Sequence, residues 1–446
     1  MNRSYNDILN GNITKQLILL LFPAFVGLLL QQVYGFVDSV ILGRFVSTEA
    51  LAGVGATAMM INMYQNFISG ITAAIMVMMA QAMGKRNYED IHNTVKTGFF
   101  ISIVMGIIFT LMGLFLSEPL LKIMNTPEDV INYSLTYTFW YFLSVTFYII
   151  YNAGISMLRA MGDSRKPVYF IVVICVIKIG FDLLLAGVFG LGVLGTSIAT
   201  FLSHFICAVL IFLLFMSTSD IYRYNIKEDF GFDMKTLKDT FKIGVPAGIQ
   251  SMVFALTSVF IQVKINSFGT DVVAAFSAYN NVDDLFWCYV GGVNAAATTI
   301  AGQNYGNKNI ERVNKTLIYS LVLYAAGALI YGFGFGCFGA NLMSLFSSDP
   351  DVISIGYEML KVVCFTYIIY GPLEMISCIL KCTGDSFISM IISIITICVV
   401  RIIFLMIVPL NAPSTPIWSY PVSWAISSLV FIIYYMFDKK LKVKKD

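Results

Sequence analysis

Three ionisable side chains fall where such groups are costly. Lys178 and Asp182 lie four residues apart in one long apolar stretch, and Asp38 lies in another. Four residues is one helical turn, so the ammonium and the carboxylate share a face and can meet. Charges sunk in hydrocarbon are rare, and they usually pair or handle ions. If Asp38 joins the pair, two carboxylates and one ammonium leave a single negative charge over. Burial favours the neutral form of that surplus group and the ammonium favours its charged form, so a proton can bind and leave within a physiological gradient. The plainer reading is a Lys178–Asp182 salt bridge that only holds the fold together.

The elements that carry these groups follow from composition. Of 446 residues, 58% are hydrophobic and 12% charged, with a mean hydropathy of +0.80, which excludes an ordinary soluble domain. Apolar runs able to cross about 30 Å of hydrocarbon lie near 14–36, 50–80, 95–116, 130–157, 167–189, 193–216, 241–265, 272–302, 316–337, 352–380, 387–409 and 417–437. The runs are continuous, without the alternation of barrel strands, so backbone satisfaction in lipid demands helices. The expected fold is all-α, with twelve transmembrane spans. The first span has no small-residue cleavage site after it and is read as retained. Of the 28 Lys and Arg, 22 lie at the termini or after even-numbered spans, Arg44, Lys122 and Lys264 lie on the other side, and Lys178, Lys361 and Arg401 lie within spans. That asymmetry puts both termini in the cytoplasm. The eight cysteines all fall in or beside apolar runs and read as reduced packing residues.

The chain repeats itself. A shift of 222 residues superposes Gln81-Ala82-Met83-Gly84 on Gln303-Asn304-Tyr305-Gly306, and Leu158 through Ser164 on Leu380 through Ser386, including both Gly-Asp-Ser turns; Pro23 meets Pro246 at a shift of 223. Each half holds six spans, so the halves run parallel, related by a pseudo-two-fold axis along the membrane normal, as in transporters with a central cavity. The expected division is an amino-terminal lobe over 1–216, a cytoplasmic linker over 217–240 and a carboxyl-terminal lobe with a basic tail over 241–446. The linker's mixed charges read as solvated, without chemistry.

Phe22-Pro23, Gln31-Gln32-Val33-Tyr34-Gly35-Phe36-Val37-Asp38, Leu42-Gly43-Arg44, the Ala80–Gly84 and Leu158–Ser164 segments, Phe181-Asp182 and Gly195-Thr196-Ser197-Ile198-Ala199-Thr200 together resemble the multidrug and toxic compound extrusion (MATE) family. The resemblance runs essentially end to end and is strongest to the bacterial branch that includes the DNA-damage-inducible F type. It implies a cation-coupled antiporter that exports amphipathic, often cationic, organic compounds by alternating access. It also implies a coupling site built from an Asp on the first helix, an Asn and an Asp on the fifth, and a Thr on the sixth. The matching positions here are Asp38, Lys178, Asp182 and Thr200. Lys178 stands where relatives have Asn, and its ammonium already occupies the electrostatic place of a sodium ion. Proton coupling is therefore expected, with sodium as the alternative, and no cofactor. Pro23 in the first helix permits a bend there. The second half lacks the cluster, since Asp182 maps onto Phe404 and Lys178 onto Val400. The resemblance offers Asp283, Asp284 and Glu374 instead, for a second proton or a cationic substrate; a Glu374–Arg401 structural pair is the plainer alternative.

Candidate walls of a substrate cavity are Gln31 and Tyr34, on the stripe of Asp38, with Asn62, Gln65, Asn66 and Ser69 on the second span and Asn152 on the fourth. Hydrogen bonding between helices is the competing role for each. His92 reads as loop-facing, and a lone His204 in the sixth span reads first as a packing hydrogen-bonder. There is no phosphate loop and no catalytic or metal constellation, which argues against an ATPase or another enzyme. A lipid-linked precursor flippase is the nearest rival function; it favours a cationic cavity, whereas the buried charges here are mostly acidic. The expected assembly is a monomer in the bacterial cytoplasmic membrane, handling small amphipathic molecules among lipids, without nucleic acid.

Overall fold

A computed structural model describes residues 8–45, 48–123, 126–218, 221–225, 229–409, 411–438 and 440–441, without the side chains of 34, 36, 38–40, 42–45, 48–49, 51 and 129. The described chain is helical throughout, with no strand. In order come α1 (Ile13–Phe45), α2 (Thr48–Lys85), α3 (Tyr88–Ile123), α4 (Glu128–Ala160), α5 (Arg165–Val188), α6 (Gly192–Ser217), α7 (Met234–Asn266), α8 (Thr270–Gly306), α9 (Ile310–Met343), α10 (Pro350–Cys364), α11 (Tyr367–Cys382), α12 (Ser386–Ile407) and α13 (Thr415–Phe437). Ten of them are each long and apolar enough to cross a membrane, and α10 with α11, bent by 54°, forms an eleventh crossing. Helix α8 completes the twelve expected spans: it is 37 residues long but carries Asp271, Asp283 and Asp284. At about 1.5 Å per residue it exceeds the hydrocarbon thickness easily.

Contacts group the chain into two compact units, one of Met1–Phe25 with Lys242–Asp446 and the other of Val26–Phe241. The division passes through α1 just beyond Pro23, which lies inside the helix, rather than at its start. In the second of these units α4 is central, packed against α2, α3 and α6 around Phe142, Val145, Ile149, Tyr141 and Ile68.

The sequence repeat is a backbone repeat as well. Among described residues, the two non-glycine residues with positive φ are Arg86 (54°) and Lys308 (59°), which are 222 apart. Gly162 (83°) and Gly384 (87°) are a second such pair at the same shift; both close the Gly-Asp-Ser turns, where a left-handed residue ends a helix and only glycine adopts it freely.

Three local departures from regular helix shape the units. Helix α5 widens into a π-helical turn at Leu183–Val188, and α12 does so at Ile394–Val399. In α11, which contains Pro372, Ser428 enters the backbone ladder: its hydroxyl accepts from Leu373 N at 3.3 Å and donates to the Ile369 carbonyl at 2.5 Å.

The linker departs from expectation. It is not uniformly solvated: Asp229 is 7% exposed, lies 2.6 Å from His92 Nε2 and accepts from Asn225 N at 2.7 Å. His92, on α3, faces the linker, in keeping with its loop-facing reading. The linker's last residues are already helical, since α7 starts at Met234 behind an Asp233 cap whose Oδ1 accepts from Thr236 N at 2.7 Å. The eight cysteines are free, seven of them buried and Cys337 exposed.

Candidate coupling and substrate sites

In the unit Val26–Phe241, Lys178 and Asp182 form an ion pair on the last regular turn of α5, Nζ to Oδ2 2.5 Å, with side chains 5% and 1% exposed. Asp182 stands at the junction with the π-helical turn. Helix α6 starts against that turn, where a Cβ on Gly195 would meet Leu185 C at 2.7 Å and Ala186 N at 2.8 Å. Glycine is thus required for α6 to approach the backbone of α5 this closely. Thr200 is buried on α6, and its hydroxyl donates to the Thr196 carbonyl at 2.9 Å, which leaves its oxygen lone pairs to accept.

The second half of α1 lies along α5. Gly27 abuts Ile171, and Cys175 Sγ approaches the Leu30 carbonyl at 3.6 Å. The two contacts advance together along both helices, by three residues in α1 and four in α5. Position 38 lies eight residues beyond Leu30 on α1, and position 182 seven beyond Cys175 on α5. The side chains of Asp38 and Tyr34 lie outside the described residues; Gln31 is half-buried.

Among the wall candidates of this unit, Gln65 Nε2 donates to Tyr141 Oη at 2.9 Å, a bond between helices. Asn66 Nδ2 donates to the Asn62 carbonyl at 2.8 Å and Asn152 Nδ2 to the Tyr148 carbonyl at 2.8 Å, both within their own helices, while Asn62 and Ser69 are exposed. His204 does make the packing bond expected of it, to Ser144.

In the other unit, two carboxylates are held by aromatic donors. Asp283 accepts from Trp287 Nε1 at 2.7 Å and from the Tyr367 hydroxyl. Glu374 accepts from the Tyr370 hydroxyl at 2.8 Å and from Asn294 Nδ2. Trp287 meets Tyr370 edge-on, centroids 5.0 Å apart, and Trp424 lies 5.5 Å from Tyr370. Asp284 is half-buried on the same helix. The Glu374–Arg401 pair considered from sequence is not formed. Arg401 instead donates to Ser423 Oγ at 3.2 Å and lies 4.3 Å over the Tyr420 ring, a cation–π contact that offsets part of its burial. The aromatic partners were readable in part: Trp287 is four residues after Asp283 and Tyr370 four before Glu374. Asn294 and Tyr367 come from other helices and left no signal.

Comparison with known proteins bears on the whole chain. The MatE family model matches it twice, over residues 23–184 and 246–407. The chain is 28% identical to "Probable multidrug resistance protein YpnP" of Bacillus subtilis (strain 168), over 89% of this chain and 88% of that protein. It is 25% identical to "Probable multidrug resistance protein YoeA" of the same organism, over 97% and 95%. An outward-facing multidrug resistance MATE family transporter of the MOP superfamily shares the fold, with a TM-score of 0.92 and 20% identity across 100% of both chains. Two copies of the family model fall on the two halves found from internal repetition, so the chain belongs to the MatE family, whose members are membrane transporters and not enzymes.

Proposed function

We propose that this protein exports amphipathic, cationic organic compounds in exchange for protons, by alternating access in a bacterial cytoplasmic membrane, as a monomer with both termini inside. The drug-resistance names of the Bacillus relatives support the export of organic compounds. The observation that carries the choice of ion is the Lys178–Asp182 pair at 2.5 Å. A sodium site needs carboxylate oxygens free to coordinate, and here a tethered ammonium occupies one of them. What remains exchangeable is the charge of a neighbouring carboxylate, and the α1–α5 register supports Asp38 as that neighbour. A proton arriving there removes the attraction between α1 and α5, and Pro23 supplies the place for α1 to bend. Thr200 offers oxygen lone pairs to the same cluster.

In the unit containing α8 and α11, Asp283 and Glu374 among Trp287, Tyr367 and Tyr370 suit an organic cation, which aromatic faces and carboxylates both attract. Asp284, Gln31, Tyr34, Asn62, Gln65, Asn66 and Asn152 are proposed as further contacts. We assign 1–216 and 241–446 to the two transport lobes and 217–240 to the connection between them. The test is substrate uptake into proteoliposomes with either gradient imposed alone. Uptake driven by a pH gradient, and abolished in Asp38→Asn and Asp182→Asn, is expected. Uptake driven by sodium alone defeats the proton assignment, and Lys178→Asn should move the preference toward sodium.

A further inference from the structure

The internal repeat gives one cleft of the fold a counterpart of opposite charge. In the unit of Met1–Phe25 with Lys242–Asp446, the first turn of α9 meets the chain that leads into α1 through Arg312. Its Nη2 donates to the Gly11 carbonyl at 2.5 Å and to the Ile8 carbonyl at 3.2 Å, and it lies 3.5 Å from Gln16 Oε1. A guanidinium therefore fills the gap between these elements.

In the unit Val26–Phe241 the corresponding place is acidic. The shift of 222 takes Asp90 to Arg312. The shift of 223 that aligns Pro23 with Pro246 takes Gln16 to Asp239, and Ile8 and Gly11 to Gly231 and Met234, on either side of Asp233. Between α2, α3 and the start of α7 lies a cavity of about 210 Å³, whose wall includes Lys85, Glu89, Asp90, Asp233, Lys235 and Asp239. Four carboxylates and two ammonium groups leave two negative charges over. Lys85 pairs with Asp90 at 2.9 Å, but its side chain is 44% exposed, so solvent weakens that pairing. Both hydrogen bonds from Thr236 to Asp233 fall on Oδ1, so the cap leaves the lone pairs of Oδ2 unused.

The size of the cavity and the spread of its acids narrow the ligand. It is smaller than the roughly 300–1,000 Å³ of a drug-sized site. Among the described residues, no three His, Cys, Asp or Glu groups gather closely enough to hold a metal ion, so the charge suits an extended cation rather than a bare one. A guanidinium meets carboxylates and carbonyls through a planar fork of donors, and it is the group that the repeat already seats at this position. We propose that the cavity between α2, α3 and the start of α7 binds a small organic dication carrying a guanidinium, whose charged head takes the place that Arg312 holds in the other half. This site lies apart from Lys178–Asp182 in sequence and does not depend on which ion drives transport.

Agmatine, a guanidinium and a primary ammonium joined by a short alkyl chain, is the probe. It is titrated calorimetrically into the purified whole protein at low ionic strength, where screening is weak. Saturable binding at one site is expected. Asp239→Gln, which installs the residue of the other half, should weaken it about tenfold. Asp90→Arg, which supplies the guanidinium from the chain itself, should abolish it while the protein melts no lower than wild type. If Asp90→Arg fails to fold, Asp239→Gln decides alone. Neither heat nor a thermal shift from millimolar agmatine, or wild-type affinity in the folded variants, overturns the proposal. So does loss of binding in Asp283→Asn with Asp239→Gln unaffected, which would place the ligand among the aromatic residues of the other unit. Displacement of agmatine by magnesium at equal concentration would reduce the cavity to a diffuse acidic surface and overturn it as well.

Discussion

Replacing Lys178 by Met tests the buried pair directly, because it removes the positive partner and keeps most of the volume. Both side chains of the pair are 5% exposed or less, so the carboxylate left behind has little access to water. Breaking a buried pair from one side costs about 3–5 kcal/mol. Asp182 has an escape, which is to take a proton. For a carboxyl of ordinary affinity that costs about 1.36 × (7 − 3.9), or about 4 kcal/mol, at pH 7 and about 1.5 kcal/mol at pH 5. The deficit of Lys178→Met relative to wild type should therefore approach about 4 kcal/mol at pH 7 and shrink by about 2.7 kcal/mol at pH 5. The sign follows from linkage: in the variant the folded state binds the extra proton and the unfolded state does not, so lowering the pH favours folding. Lys178→Met with Asp182→Leu, lacking both charges, should recover to wild-type stability or exceed it by about 1–4 kcal/mol. Unfolding by SDS titration in mixed micelles at the two pH values measures all three differences. A single variant as stable as wild type at pH 7, or a deficit that ignores pH, refutes this account of the pair.

Three further outcomes are expected. Gly195→Ala sets a Cβ 2.7 Å from Leu185 C, where only backbone can give way; it should cost about 1–3 kcal/mol and slow transport, read by thermal unfolding and uptake together. Tyr367→Phe removes a hydroxyl donor to Asp283 and should cost about 1.5–3 kcal/mol, whereas Tyr357→Phe, whose hydroxyl only meets the Gly336 carbonyl, should cost less. The backbone N–H and then the hydroxyl of Thr236 hold the Asp233 carboxyl below the usual carboxylate range. Since the folded value is the lower one, this cap stabilises at neutral pH and fades as pH falls below about 4. Asp233→Ala should cost about 1 kcal/mol at pH 7, a difference that disappears in acid, measured by SDS titration.

Long-range order was legible where chemistry repeats along one chain. The twelve spans follow from the absence of water in the bilayer core, and the duplication from turn residues whose backbone angles few residue types accept. Lys178 and Asp182 were legible for a related reason, being one turn apart on a single helix. What was hidden depends on approaches between helices. Arg401 had a carboxylate within one helix of it in sequence terms, yet it faces Tyr420 and Ser423. Asp229 looks like one of several solvated linker charges, and its partner His92 is 137 residues away on α3. The bend between α10 and α11 and the two π-helical turns have no dependable residue signature, since each is fixed by what packs against it.

The duplication also separates scaffold from chemistry. Positions that bend the chain are kept in both halves: Arg86 with Lys308 and Gly162 with Gly384 hold the same left-handed angles. The ionisable groups of the two candidate sites are not. Lys178 and Asp182 face Val400 and Phe404 across the repeat, and the acids Asp283 and Glu374 correspond to Ile61 and Asn152. Even His92 and its counterpart Asn314 keep only a polar role, one meeting Asp229 and the other the Leu441 carbonyl at 2.8 Å. A turn works equally well twice, because its geometry depends only on its own residues. A buried charge does not, because each one needs its own compensating partners, and two identical clusters would double that desolvation cost. Exchanging the two sites tests this separation: moving Lys and Asp to positions 400 and 404 should destabilise the fold by several kcal/mol, since a newly buried pair must be desolvated, whereas exchanging the Gly-Asp-Ser turns between halves should leave stability within about 0.5 kcal/mol.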